Sequence, residues 1–201
     1  MTPLDAIRRL GELGITLHLH DLPSVERLHI TMEGVSPQFA TLVTGMQPKT
    51  VTLPGAQMTT DDLPVLLNFP QLTAICAHQL PFASSLFATG LPFPQLSSIA
   101  MSNTPLNDKD IGTLKNKSTL TSLNFTSTQI TDDSLLTFAT LPALELIDVR
   151  QTQVSDIGLM HLARLRCLFT INASGTLVTD GGASEFRSRV AKWLPDIEVL
   201  L

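Results

Sequence analysis

The sequence predicts an α/β fold made of repeated strand–turn–helix units. The main observation is a 24-residue period, in which LTSLNFTSTQITDDSLLTF begins at Leu120 and its two best copies begin at Leu144 and Leu168. Weaker copies precede them, and IEVL near the C-terminus matches a last strand. The weaker copies begin at Val25, Pro48, Leu72 and Leu96, and the last strand begins at Ile197. Repetition at a fixed period is typical of solenoids, in which each unit packs on its neighbours.

Two kinds of apolar spacing define the elements of each unit. Leu123 and Phe125 are two residues apart, as one buried face of a strand requires. Leu135, Phe138 and Leu141 follow at the spacing of a helix face. Each unit is therefore predicted to run from a strand through a turn into a helix.

Polar residues recur in the turn between strand and helix. The carboxylates at this position are Asp108, Asp132, Asp156 and Asp180. A row of carboxylates could be catalytic, but this row repeats with the start of each helix. We therefore expect the Asp or the preceding Ser/Thr to cap the helix. We expect Gly158 to allow the tight turn into its helix. The residues just after the strands are Thr104, Thr128, Thr152 and Thr176. We expect their hydroxyls to bond the turn backbone and to form a ladder between coils.

The ends of the array are predicted to be covered, because a repeat stack otherwise exposes its core. We expect an N-terminal cap over residues 1–22, repeats over 23–180 and a C-terminal cap over 181–201, all in one continuous domain. The first cap includes a helix over 3–14 and a short strand over 15–20. The second includes a helix over 181–194, whose basic side chains complement the helix dipole.

The best copies match the pattern LxxLxLxxTxITDxGLxxL over residues 120–180. This pattern resembles that of leucine-rich repeat proteins of the ribonuclease-inhibitor-like or cysteine-containing type, especially a bacterial variant with Thr where others have Asn or Cys. The resemblance implies a curved right-handed coil with a parallel sheet on the concave side and helices on the convex side. It also implies protein binding, and it carries over no catalytic residue.

Composition and charge exclude several classes of protein. The chain has 201 residues, of which 43% are hydrophobic and 15% charged, and its net charge is −5. Enough apolar side chain is present for a core, and 13 basic against 18 acidic residues disfavour a nucleic-acid or anionic-membrane surface. No apolar leader or membrane span is visible, so we expect a cytoplasmic protein. Cys76 and Cys167 are too far apart in sequence for a disulfide framework or, alone, a zinc site.

Strand alternation predicts which side chains face a partner. If the apolar pair points inward, three columns of mostly small, neutral residues line the concave face. The expected contact residues are His29, Cys76, His78, Asn124, Leu146, Asp148, Arg150 and Asn172. Asp148 and Arg150 are either a binding centre or a local ion pair on a solvated strand.

Enzymatic and metal chemistry are not expected. Cys76 and His78 lie two residues apart on one strand, which is too far for an activated pair on an open surface without an orienting group. His18 and His20 have no evident third metal ligand. No phosphate-binding loop, dinucleotide fingerprint or HExxH motif occurs, so no cofactor is expected.

The favoured function is a non-enzymatic module that binds another protein or peptide on its concave face. The alternative is a substrate-recognition adaptor of a ubiquitin-ligase-like machine or an effector directed at a host cell. We expect a monomer, with a dimer through the edge strand at 197–201 as the competing hypothesis.

Overall fold

A computed structural model describes residues 17–18, 27–30, 49–54, 60 and 69–201. The predicted N-terminal cap lies outside these residues except for Leu17–His18. The predicted helix over 3–14 and the histidine at position 20 therefore also lie outside the described part.

The described residues form one sheet of nine strands in chain order. The strands are β1 (Leu17–His18), β2 (Arg27–Ile30), β3 (Thr50–Pro54), β4 (Ala74–His78), β5 (Ser98–Ser102), β6 (Ser122–Asn124), β7 (Leu146–Asp148), β8 (Thr170–Asn172) and β9 (Glu198–Leu200). β1 pairs with β2 antiparallel, and every later pair is parallel. The register shifts by 24 residues between neighbours from β3 to β8, as the sequence period predicts.

Short helices connect the strands in the described part of the chain. They are α1 (Ala83–Ala88), α2 (Asp108–Ile111), α3 (Asp132–Phe138), α4 (Asp156–His161) and α5 (Asp180–Val190). A turn of 3₁₀-helix continues α2 over Gly112–Leu114 and α4 over Leu162–Arg164. The last helix ends at Val190, several residues before the predicted end at 194, although Ala183, Phe186 and Val190 still bury one face.

One continuous hydrophobic core fills the space between sheet and helices. Its central row consists of one inward residue from each of the strands β3 to β9, in register across the sheet. These residues are Val51, Ile75, Ile99, Leu123, Ile147, Ile171 and Val199. The Phe125 ring links its own coil to an earlier one, because its centroid lies 5.8 Å from that of Phe138 in α3 and 6.2 Å from that of Phe87 in α1.

The turn after each of the strands β4 to β8 holds a residue in the left-handed region, again 24 residues apart. These residues are Gln79, Asn103, Ser127, Gln151 and Gly175. The Ser127 N–H donates to the Arg150 carbonyl at 2.9 Å, and the Gln151 N–H donates to the Ser174 carbonyl at 3.0 Å. Hydrogen bonding between coils therefore continues beyond the ends of the strands.

The helix caps resolve the alternative that the sequence left open. The residue before each Asp caps its own helix, since the Ser155 hydroxyl accepts the Ile157 N–H at 3.2 Å. Asp108, Asp132 and Asp156 instead bond the next coil: Asp132 accepts the Ser155 N–H at 2.7 Å and its hydroxyl at 2.6 Å. Gly158 gives space to this carboxylate, which a Cβ at that position would overlap. The carboxylate row is thus a chain of links between repeats.

The turn threonines bond the turn backbone, as expected, but they form no ladder between coils. The Thr128 hydroxyl donates to the Phe125 carbonyl at 2.7 Å, and Thr152 and Thr176 each donate to the carbonyl three residues back, both at 2.6 Å. These bonds close the turn within one coil, so the expected bonds between coils at this position are wrong. The distance between coils is spanned by the aspartates and the turn backbone instead.

Candidate functional site

The sheet face opposite the helices carries columns of side chains in register. The middle column of the described strands runs through Cys76, Ala100, Asn124, Asp148 and Asn172. Its members are half-buried, whereas the inward residues between the columns are buried. His29 is in register with Thr52 at the N-terminal end of this column.

Asp148 is the centre of a polar network on this face. Its carboxylate accepts from Arg150 through Nε at 2.9 Å and Nη2 at 2.8 Å, and it lies 3.1 Å from the oxygen of the Thr126 hydroxyl, which shares its proton with Asn124. The Asn124 amide lies 3.4 Å from the same carboxylate and accepts the Thr126 N–H at 3.0 Å. The hydrogen bond and the charge of Asp148 raise the pKa of Arg150.

The other expected contact residues of the C-terminal half flank this network. Leu146 is 43% exposed and pairs in register with Ser122 and Thr170. The Asn172 side-chain oxygen accepts the N–H and the hydroxyl of Ser174 at 3.2 and 2.8 Å. The structure thus brings Asn124, Asp148 and Arg150 together, with Leu146 and Asn172 on adjoining positions.

Cys76 and His78 lie on the N-terminal half and do not form an activated pair. His78 Nδ1 lies 2.8 Å from the Ser102 hydroxyl and 3.4 Å from the Asn103 amide. Burial raises the pKa of the Cys76 thiol, which is opposite to the change that a thiolate nucleophile needs. Within the described residues, no cluster of His, Cys, Asp and Glu could hold a metal ion.

A shallow depression of about 260 Å³ opens where β6, β7 and β8 end. It is lined by Thr126, Arg150, Gln151, Ser174 and Gly175. Alternation placed Thr126 and Ser174 in a concave column, but sequence reasoning missed Gly175. The signal that could have revealed it is the 24-residue row of left-handed turn residues, in which Gly175 is the member without a side chain.

These repeats, their parallel sheet and their helices define the chain as a leucine-rich repeat solenoid. Among the 48 solved chains that match it is an internalin (inlF) from Listeria monocytogenes, with 17% identity and a TM-score of 0.52. The match covers 79% of this chain and 49% of the internalin, so the chain spans about half the length of that protein. This likeness concerns the fold.

No protein-family model matches the chain, and no curated protein matches it either. In the described part of the chain, no helix has both the length and the apolar character needed to cross a membrane.

Proposed function

We propose that this chain is a non-enzymatic protein-interaction module that binds a protein or peptide on its concave face. The observation that carries the proposal is the Asn124–Asp148–Arg150 network, whose side chains are held in place before any partner arrives. Fixed polar groups on a rigid sheet lose little conformational freedom on binding. The fold-level likeness to an internalin agrees with this proposal but does not carry it.

The size of the face suits a macromolecular partner. The parallel strands β2 to β9 at about 4.8 Å spacing give a face about 35 Å wide. A standard interface takes about 800 Å² from each partner, which such a face can supply. Arg150, with its apolar neighbour Leu146, is the kind of residue that contributes much of the binding energy in interfaces.

Several finer features belong to the same proposal. The repeats are proposed to be of the ribonuclease-inhibitor-like or cysteine-containing type, in a variant that has Thr104, Thr128, Thr152 and Thr176 at the position that others fill with Asn or Cys. We propose residues 1–22 and 181–201 as caps of a monomeric array. Cytoplasmic location is supported by the free thiols of Cys76 and Cys167.

The proposal is tested by charge reversal at the network. The double variant Asp148→Lys/Arg150→Glu is expected to weaken the binding of a partner by at least about tenfold, since it changes both charges at the centre of the face. The partner is first isolated by crosslinking and affinity capture from the native host. Its Kd for the purified chain and for the variant is then measured by calorimetry.

The control is the double variant Glu185→Lys/Arg189→Glu on α5, where both side chains are exposed away from the sheet. It changes the same charges and is expected to leave the Kd unchanged, while circular dichroism shows that both variants fold. Equal Kd values for the two double variants would show that this part of the concave face does not bind the partner.

A further inference from the structure

The depression beside Arg150 owes its shape to one turn position. Gln79, Asn103, Ser127 and Gln151 place a side chain at this position in their coils, whereas Gly175 has none. The space left by the missing side chain adjoins Gln151, since a Cβ built on Gly175 would lie 3.5 Å from Gln151 Cγ. The depression is therefore a local feature of the last coils and not a property of every repeat.

Arg150 lines the depression and keeps one edge of its guanidinium free of bonds to the described residues. Its Nε and Nη2 donate to Asp148, and this bidentate pair fixes the plane of the group. A guanidinium has five N–H groups, and those of Nη1 make no bond within the described chain. The Nη1–Nη2 edge keeps the spacing that matches a second carboxylate.

Gln151 adds further donors. Its side-chain oxygen accepts the Ser127 hydroxyl at 2.6 Å, which leaves the N–H groups of its amide nitrogen without a partner among the described residues. The protons of the two lining hydroxyls are already used: Ser174 donates to Asn172 at 2.8 Å and Thr126 donates to Asn124 at 2.9 Å. The donors that remain without a partner thus belong to the Arg150 guanidinium and the Gln151 side-chain amide.

We propose that this depression binds a carboxylate group from an acidic side chain of the partner protein. The inference rests on the proposed function and names the chemistry that the concave face recognises. A carboxylate accepts with both oxygens, whereas a carboxamide turns an N–H₂ group toward donors. A phosphate dianion is disfavoured, because Asp148 already balances the charge of Arg150.

The test is an NMR titration with small probes at constant ionic strength. The probes are N-acetyl-glutamate N-methylamide, the matching glutamine compound and inorganic phosphate. The glutamate probe is expected to shift the Arg150 Nε–H, Gln151 side-chain and Gly175 backbone signals, with a Kd about tenfold lower than that of the glutamine probe. Equal Kd values for these two probes, tighter binding of phosphate, or no shift at these signals would each overturn the inference.

Two asparagine substitutions give a matched pair of variants. Gly175→Asn fills the depression with a residue that tolerates its φ of +71°, and it is expected to abolish the shifts caused by the glutamate probe. Gly90→Asn at a φ of +74° has open space around it and is expected to bind the probe like the unmodified chain. Undiminished glutamate binding by Gly175→Asn would show that the depression is not the site.

The partner experiment separates this inference from the proposed function. If charge reversal at Asp148 and Arg150 weakens partner binding while no carboxylate probe reaches the depression, only the carboxylate inference fails. If the probe binds as expected but charge reversal leaves the partner Kd unchanged, the proposed use of the concave face fails instead.

Discussion

Gly182 shows at the residue scale how tightly the coils approach each other. A Cβ on Gly182 would overlap the carboxylate of Asp156, which accepts the Thr179 N–H and hydroxyl, both at 2.8 Å. Gly182→Ala is therefore expected to lower the free energy of unfolding by about 1–3 kcal/mol, the usual cost of inserting a methyl group into a filled space. Urea denaturation followed by circular dichroism measures this change.

The neighbouring glycine is the control for that substitution. A Cβ on Gly181 would meet the Thr179 hydroxyl oxygen at 3.6 Å, which is an ordinary contact. Gly181→Ala in the same helix is expected to stabilise the chain by about 0.5 kcal/mol, because alanine loses less backbone entropy than glycine. Similar losses for both variants would show that helix propensity, and not the Asp156 carboxylate, decides the effect.

At the scale of elements, the carboxylate of Asp108 links α2 to the N-terminus of α3. Burial alone would raise its pKa, but hydrogen bonds from Ser134 and Thr131 outweigh burial and leave the pKa lowered. Asp108→Asn turns an N–H₂ group toward these donors, so it is expected to cost about 1–3 kcal/mol at neutral pH.

The same carboxylate makes this cost depend on pH. Because its pKa is lower in the folded chain, its contribution to stability is present above the unfolded pKa of about 3.9 and is lost as the pH falls through the folded value. The difference in unfolding free energy between the chain and Asp108→Asn should therefore be constant from about pH 7 to pH 5 and shrink as the pH falls below about 4. Thermal unfolding over this range measures it, and a constant difference would contradict the assignment.

Asp133→Asn is the control for the pH experiment. Its carboxylate is exposed in the first turn of α3 and accepts no hydrogen bond from the described residues. We expect its substitution to change the unfolding free energy by less than about 0.5 kcal/mol, as at other surface sites.

The sequence predicted the register of the strands but not the partners of the turn side chains. The period fixed the strand register from β3 to β8, because each strand must bury the same two apolar positions. It did not show whether Asp132 would cap its own helix or bond Ser155, since that choice depends on the distance between coils. Nor did it show that Thr128 would bond Phe125 in its own turn, because a hydroxyl reaches both its own coil and the next.

The sequence also predicted only part of the candidate site, because strand alternation applies within the strands and not beyond their ends. Alternation places Asp148 and Arg150 on one strand face, and the structure shows their bidentate pair. The depression depends on backbone that leaves the strand at Gln151 and Gly175, where alternation no longer applies. A residue other than glycine in the left-handed region, such as Gln151, has no clear signature in a single sequence.

At the scale of the whole molecule, we expect each coil to be stabilised mainly by its contacts with the neighbouring coils. Phe125 is fully buried and packs on Phe138 in α3 of its own coil and on Phe87 in α1, the helix that follows β4, so Phe125→Ala removes contacts within its coil and to an earlier one. We expect a loss of about 3–5 kcal/mol in unfolding free energy. Phe169→Ala, at a side chain that is 62% exposed, is the matched control and is expected to cost less than about 0.5 kcal/mol.

Hydrogen exchange shows how far the damage from Phe125→Ala spreads. If coils are coupled only through their neighbours, amide protection should fall most in the strands from β4 to β7 and least in β9, which packs on the far side of β8. An array that opens as one unit would instead lose protection equally in every described strand. Mass spectrometry of the exchanged peptides separates these outcomes, and an equal loss would mean that the aspartate links between coils make the whole solenoid a single cooperative unit.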